Sequence, residues 1–247
     1  MNLFTRIVRA VRKYDDENNF TCDICNREVF GNERVCKRCR DALPWNNGYI
    51  CPFCGRKVNE PGVCLECKER PLGMEKARSA FTHEGEAMRL VLRLKRGSRY
   101  LYRTLAELAL PLLLKEFEEE DLITFVPMTE KSERKRGYNQ SRLFAEELAK
   151  RSGKPFAAVA EKKRDTLAQK TLGRREREKN LEGCFTVTDR KAVKGKRVLI
   201  VDDTLTTGAT TYELACAIKR AGAQRVSALT FTSVQNKTPF GKPPKEK

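Results

Sequence analysis

Arg197-Val-Leu-Ile-Val-Asp-Asp-Thr-Leu-Thr-Thr-Gly-Ala-Thr210 is the stretch that decides how this chain folds. Val198, Leu199, Ile200 and Val201 make a short apolar run rich in β-branched side chains, as in a strand buried on both faces. Asp202 and Asp203 end the run, and a hydroxyl-rich loop with one glycine, Gly208, follows. From about Thr207 the period becomes helical, with Leu214, Ala215, Ile218 and Ala221 on one face and Gly222 as a stop. Strand, loop and helix in that order predict an open α/β sheet, whose ligands bind beyond the carboxyl ends of the strands.

The loop has a definite chemistry. The amides of Thr206, Thr207, Gly208, Ala209 and Thr210 fall at a helix N-terminus, where unpaired N–H groups and the dipole attract an anion such as phosphate. The threonine hydroxyls add donors, and Gly208 lets the backbone come close. Asp202 and Asp203 do not favour phosphate; they suit a vicinal diol or a divalent cation. Phosphate and ribose side by side describe a 5-phosphoribosyl group. Val198–Thr210 resembles the phosphoribosyl pyrophosphate (PRPP) signature of type I phosphoribosyltransferases. The resemblance implies that Asp202 and Asp203 hold the ribose hydroxyls at the reacting centre, beside Thr204. It also implies that Thr206 to Thr210 cradle the 5-phosphate and that Mg²⁺ accompanies PRPP. The acid pair is similar to a Walker B strand end as well, but no G-x-x-x-x-G-K-[ST] occurs, which argues against a P-loop ATPase.

With 247 residues, the chain has room for one domain of ordinary size and a small module. Its formal charge of +17, from 50 Lys and Arg against 33 Asp and Glu, attracts polyanions: nucleic acid or a phosphorylated ligand. Residues 1–19 read as an amphipathic helix (Leu3, Phe4, Ile7, Val8 and Val11 among Arg6, Arg9, Arg12 and Lys13) that packs on its own domain. They lack the apolar core and cleavage site of a secretory leader. Leu105–Leu114, the most apolar run, is too short to span a bilayer and contains Glu107. No transmembrane segment is expected, and the cytoplasm is the expected location.

Residues 20–70 read as a Cys-rich metal module. Cys22-x-x-Cys25 and Cys36-x-x-Cys39 form one set; Cys51-x-x-Cys54 and Cys64-x-x-Cys67 form another. Each C-x-x-C brings two sulfurs onto one tight turn, as a tetrahedral ion needs. Structural Zn²⁺ is expected, one ion at least and two if each set closes on itself; spacing leaves a crossed pairing open. Disulfides lack the support of a secretory segment, and an iron cluster fits this spacing less well. Trp45 and Tyr49 lie between the sets and read as a contact between two small knuckles, with base stacking as the alternative.

The remainder, residues 71–235, reads as the α/β domain. Ala77–Thr82 opens it as a strand; two helices follow, over Glu84–Arg96 and roughly Tyr100–Glu119, the latter with Pro111 as a kink. His83, the sole histidine, is assigned no role. Asp121–Pro127 reads as a buried strand, Met128–Ser141 as a loop, and the next helix runs to about Arg151, capped by Gln140 or Ser141. Residues 161–183 are charged and read as a long loop or exposed helix; Phe185–Thr188 and Arg225–Thr232 read as strands; 236–247 is a basic tail read as disordered.

The whole order resembles the ComF family of bacterial DNA-uptake proteins (ComFC-like). Arg93-Leu94-Lys95-Arg96 matches its Leu-Lys motif. Val126-Pro127 through Arg134, Arg136 and Gly137-Tyr138-Asn139-Gln140-Ser141 matches a second segment. Arg164-Asp165-Thr166-x-x-Gln169 with Arg177 and Asn180 matches a third. Met128-Thr129 and Arg96 depart from the usual residues. The resemblance implies a pyrophosphate loop at Lys131, Arg134, Lys135 and Arg136, where cations would stabilise a leaving pyrophosphate. It implies a hood at Arg164, Gln169, Arg177 and Asn180 that closes over PRPP, and a role in handling single-stranded DNA, with a competence helicase or other DNA-uptake proteins as partners. Two readings follow: a PRPP-binding DNA-uptake protein whose basic stretches track a nucleic-acid backbone, or a Mg²⁺-dependent phosphoribosyltransferase. No residue set in the sequence reads an acceptor.

Overall fold

The computed structural model describes residues 20–30, 33–69, 73–164 and 183–235. The N-terminal amphipathic segment, the basic tail, and Gln169, Arg177 and Asn180 of the hood lie outside the described residues.

The apolar run of the opening stretch forms the centre of a sheet. β1 (Ala77–Thr82), β2 (Leu122–Phe125), β5 (Arg197–Leu205) and β6 (Arg225–Ser233) are parallel, in the order β1-β6-β5-β2. Because side chains alternate along a strand, β5 feeds two cores. Leu199 and Val201 turn to the side of α3 (Gly85–Lys95), α4 (Leu101–Glu116) and α6 (Gln140–Ser152), where Leu90, Leu105, Phe144 and Leu148 are buried. Val198 and Ile200 turn to α8 (Ala209–Arg220), packing with Leu214, Ala215 and Ile218. Helix α4 continues through Pro111. An antiparallel pair, β3 (Ala160–Lys162) and β4 (Phe185–Val187), lies beside the main sheet, and the short helix α7 (Arg190–Val193) leads into β5.

Two boundaries differ from expectation. The signature strand runs past the acid pair to Leu205, because β6 continues beside it and pairs Asp202 with Thr230 and Thr204 with Thr232. The expected open loop after β2 contains a helix, α5 (Glu130–Arg136). Its composition explains this: Glu130 and Glu133 lie in the first turn and Arg134, Lys135 and Arg136 in the last, complementing the helix dipole. Thr129 caps it by accepting from Ser132 N at 3.2 Å, and Gly137, at φ 86°, stops it.

The Cys-rich module carries α1 (Lys37–Asp41) and α2 (Leu65–Glu69) and lies along β1, which would otherwise be an open edge. Ala77 N donates to Phe53 O at 2.6 Å, Asn46 N to Ala80 O at 2.9 Å, and Thr82 N to Pro44 O at 2.9 Å. Trp45 packs on Phe81 with centroids 4.5 Å apart, and its indole N–H donates to Arg40 O at 3.0 Å. Tyr49 is exposed.

Candidate functional site

β5 delivers Asp202 and Asp203 to the carboxyl end of the sheet, at the wall of a cavity of about 650 Å³. Asp203 is buried and closely held. Lys95, at the end of α3, forms an ion pair with it; Gln140 Nε2 donates to Oδ1 at 2.9 Å and Thr204 Oγ1 to Oδ2 at 2.8 Å. Burial opposes its ionisation, but the Lys95 charge and these hydrogen bonds prevail and hold it below the usual carboxylate range. Asp202 accepts from Ser141 Oγ at 2.6 Å and from Asp203 N at 2.9 Å, both on Oδ1. Burial, followed by the neighbouring Asp203 charge, pushes it up to about 7. The two acids are thus unlike: Asp203 is a fixed, compensated charge, and Asp202 carries the proton that titrates near neutrality.

The supporting side chains come from short capped turns. Asn139, not Gln140 or Ser141, caps α6, accepting from Ser141 N at 3.0 Å and Arg142 N at 3.2 Å. A cap must precede the first helical turn, and Asn139 in that position frees Gln140 and Ser141 to reach the acids. Tyr138 donates its hydroxyl to Leu94 O, which fixes the end of α3 and hence Lys95. His83 lines the cavity and shares a hydrogen bond of 2.8 Å with Thr232 Oγ1; burial and the nearby Lys95 charge lower its pKa against the opposing pull of Asp203.

Gly208, at φ 79°, turns the chain into α8, and Thr207 Oγ1 accepts from Ala209 N at 3.4 Å. Of the expected site residues, Asp202, Asp203, Thr204, Thr206, Gly208 and Thr210 line the cavity together, and Arg136 joins them from α5. Thr207 and Ala209 stand in the same turn without forming its wall. Lys131, Arg134 and Lys135 are exposed on α5 and do not line it; Arg134 pairs with Glu130 at 2.6 Å. Arg164 is exposed beyond β3, whose Lys162 does reach the cavity. Lys95, Gln140 and Ser141 are the residues that sequence reasoning gave no site role. The signal was available: two adjacent buried acids need a cation and donors, and the motifs around Lys95 and Gln140 carry them.

The cysteines close into two tetrads, Cys22, Cys25, Cys36 and Cys39, and Cys51, Cys54, Cys64 and Cys67, the four sulfurs of each within 4.8 Å of one another. Pairing is therefore sequential, and none of the cysteines forms a disulfide. Within the second tetrad, the hydrogen bond from Cys67 pulls Cys54 down to about 5, and burial pushes Cys64 up to about 11. Four clustered sulfurs with one readily ionised are the chemistry of a structural Zn²⁺ site with no open position for catalysis.

Residues 139–243 match the phosphoribosyl transferase domain, and residues 20–68 match the double zinc ribbon domain. The molecule is a phosphoribosyltransferase-type α/β domain fronted by a double zinc ribbon. Among curated proteins, Competence protein ComFC of Bacillus subtilis is 26% identical over 87% of this chain and 92% of its own length. DNA utilization protein YhgH of Salmonella typhi is 30% identical over 83% and 86%. Competence protein F of Haemophilus influenzae is 23% identical over 84% and 94%. The chain belongs to the ComF family.

Proposed function

We propose that this chain binds PRPP with Mg²⁺ in the cavity at the carboxyl end of the sheet and works in DNA uptake, handling single-stranded DNA in the cytoplasm. The observation that carries the reading is the juxtaposition in one cavity of a left-handed glycine opening a helix and an acid pair braced by Lys95, Gln140 and Ser141. The helix end supplies amides for the 5-phosphate. Asp202 faces the ribose hydroxyls and accepts from them once ionised, while Asp203 with Lys95 fixes its position. Arg136 and Lys162 provide cations for pyrophosphate, and Mg²⁺, arriving with PRPP beside the Asp202–Asp203 pair, would supply further positive charge to offset that of the pyrophosphate. The relatives' names, competence and DNA utilization, support the DNA side. The net charge of +17 supports a polyanionic partner, with other DNA-uptake proteins, a helicase among them, as protein partners. Among the described residues no helix is long and apolar enough to cross a membrane.

The test is calorimetric titration of PRPP with Mg²⁺ into the parent and into Asp202→Asn, followed by single-stranded DNA at rising salt. PRPP binding that is lost in the variant, with DNA binding that falls steeply with salt and ignores the variant, supports the reading. PRPP binding unchanged in Asp202→Asn refutes the ribose assignment. A second reading, transfer of the phosphoribosyl group to an acceptor, is favoured by the apolar part of the wall (Val91, Leu92, Val126 and Met128), which a sugar phosphate has no need of. Release of pyrophosphate on adding candidate bases or amines tests it.

A further inference from the structure

The two ribbons repeat one pattern. Cys22-x-x-Cys25-Asn26-Arg27 and Cys51-x-x-Cys54-Gly55-Arg56 fold alike: Cys22 N donates to Arg27 O at 2.7 Å, and Cys51 N to Arg56 O at 2.8 Å. The repeated arginines then diverge. Arg27 is exposed, whereas Arg56 is 2% exposed. Its guanidinium donates through Nη1 to the Glu66 carboxylate and through Nη2 to the carbonyl oxygen of Thr206, in the turn before α8.

We propose that Arg56 is a positioning residue for the anion loop, and that the second cysteine tetrad is the clamp that holds it. The inference rests on the phosphate reading of that loop. Arg56 follows Cys54 by two residues and Glu66 precedes Cys67 by one, so both halves of the tetrad grip one guanidinium. Metal in the tetrad fixes the two halves to each other. The fork then fixes a peptide plane. In a trans peptide the N–H points opposite to the C=O. Thr206 and Gly208 line the cavity and Arg56 does not. Drawing the Thr206 carbonyl to Arg56 therefore turns the next amide, Thr207 N–H, away from Arg56, between two residues, Thr206 and Gly208, that form the cavity wall. Without the fork the carbonyl is free to rotate inward, where its partial negative charge opposes a phosphate. Glu66 neutralises the guanidinium, so Arg56 acts through direction and not through net charge. A planar fork serves two acceptors at once, which an ammonium does less well.

The test uses the full chain with its zinc content checked. Ribose 5-phosphate and Mg²⁺–pyrophosphate are titrated separately into the parent, Arg56→Gln, Arg56→Lys and Arg27→Gln, and amide hydrogen exchange of residues 204–211 is followed without ligand. Arg56→Gln is expected to weaken ribose 5-phosphate about tenfold, the scale of one well-aligned hydrogen bond to phosphate. It leaves Mg²⁺–pyrophosphate and zinc content unchanged and speeds exchange in the loop. Arg56→Lys recovers part of the loss, and Arg27→Gln behaves as the parent. If Arg56→Gln fails to fold, Glu66→Gln loosens the same fork without removing it and is expected to show the same split between probes. Parent-like affinity and exchange in Arg56→Gln, or equal weakening of both probes, would overturn the proposal. A parent that binds neither probe refutes the phosphate reading instead, and the exchange data still decide whether Arg56 holds the loop.

Discussion

Ribbon one and ribbon two are built alike and used differently. Each has a strand bridge (Thr21 with Glu28, Ile50 with Lys57) and a left-handed residue after the second cysteine (Asn26 at φ 58°, Gly55 at φ 66°). In each, a backbone amide donates to the first sulfur: Cys36 N to Cys22 Sγ at 3.4 Å and Cys64 N to Cys51 Sγ at 3.5 Å. Ribbon one docks on helices. Asp23, buried, accepts from Thr104 Oγ1 of α4 and faces Arg34 at 3.9 Å, and Glu107 of α4 pairs with Arg40 at 2.9 Å. Ribbon two docks on β1 and on the turn that opens α8. Similar local folds thus yield one anchoring unit and one unit in contact with the cavity wall, because the side chains around the knuckle differ and not the knuckle itself.

The left-handed positions sharpen that contrast most. A Cβ at Gly55 would overlap the Ala77 carbonyl, so Gly55→Ala should cost about 3 kcal/mol or more, the upper range for strained backbone. Asn26 is exposed, and Asn26→Ala should cost only about 1 kcal/mol, the left-handed penalty alone. Chemical denaturation of both variants checks this; equal costs would mean that the two ribbons are packed equivalently.

Removing one thiolate from each tetrad comes next. Cys67→Ser should lower PRPP affinity by at least the roughly tenfold expected of Arg56→Gln, because it releases the clamp that holds that guanidinium. Cys25→Ser should lose its own metal but keep binding near the parent value, as read by titration and elemental analysis. Equal losses would break the division of labour between the ribbons.

The pH profile is a smaller effect and belongs to the cavity alone. Asp202, pushed up to about 7, is protonated below that value and then cannot accept from both ribose hydroxyls. Affinity for PRPP should therefore rise about tenfold from pH 6 to pH 8 and level off above, as expected for one proton released near pH 7. Variants of ribbon one should keep this profile, and Asp202→Asn should flatten it. Smallest of all, Arg40→Ala removes a partly exposed ion pair with Glu107 and should cost less than about 1 kcal/mol with no change in binding.

Much of the site and fold was legible because it is local. Val198–Val201 announces a strand buried on both faces, Gly208 a turn into a helix, and the spacing of eight cysteines a zinc module, whose sequential pairing the spacing left open and the fold decides. What the sequence hid depends on tertiary approach. Lys95 lies far from Asp203 along the chain and is brought to it only by the packing of α3 on the sheet. Gln140 and Ser141 look like caps until Asn139 takes that place. Arg27 and Arg56 are indistinguishable as letters in a repeat, and only the docking of ribbon two on β1 buries one of them. The basic run 131–136 looked like one cationic loop; its helical winding sends Arg136 to the cavity and leaves its neighbours exposed.

The measurement that goes straight to the centre is a calorimetric titration of PRPP with Mg²⁺ into the intact, zinc-loaded chain at pH 8. Saturable binding at one molecule per chain, absent in Asp202→Asn, is the predicted result. No heat and no saturation from a folded parent with both tetrads filled would contradict the assignment of the cavity to a phosphoribosyl group.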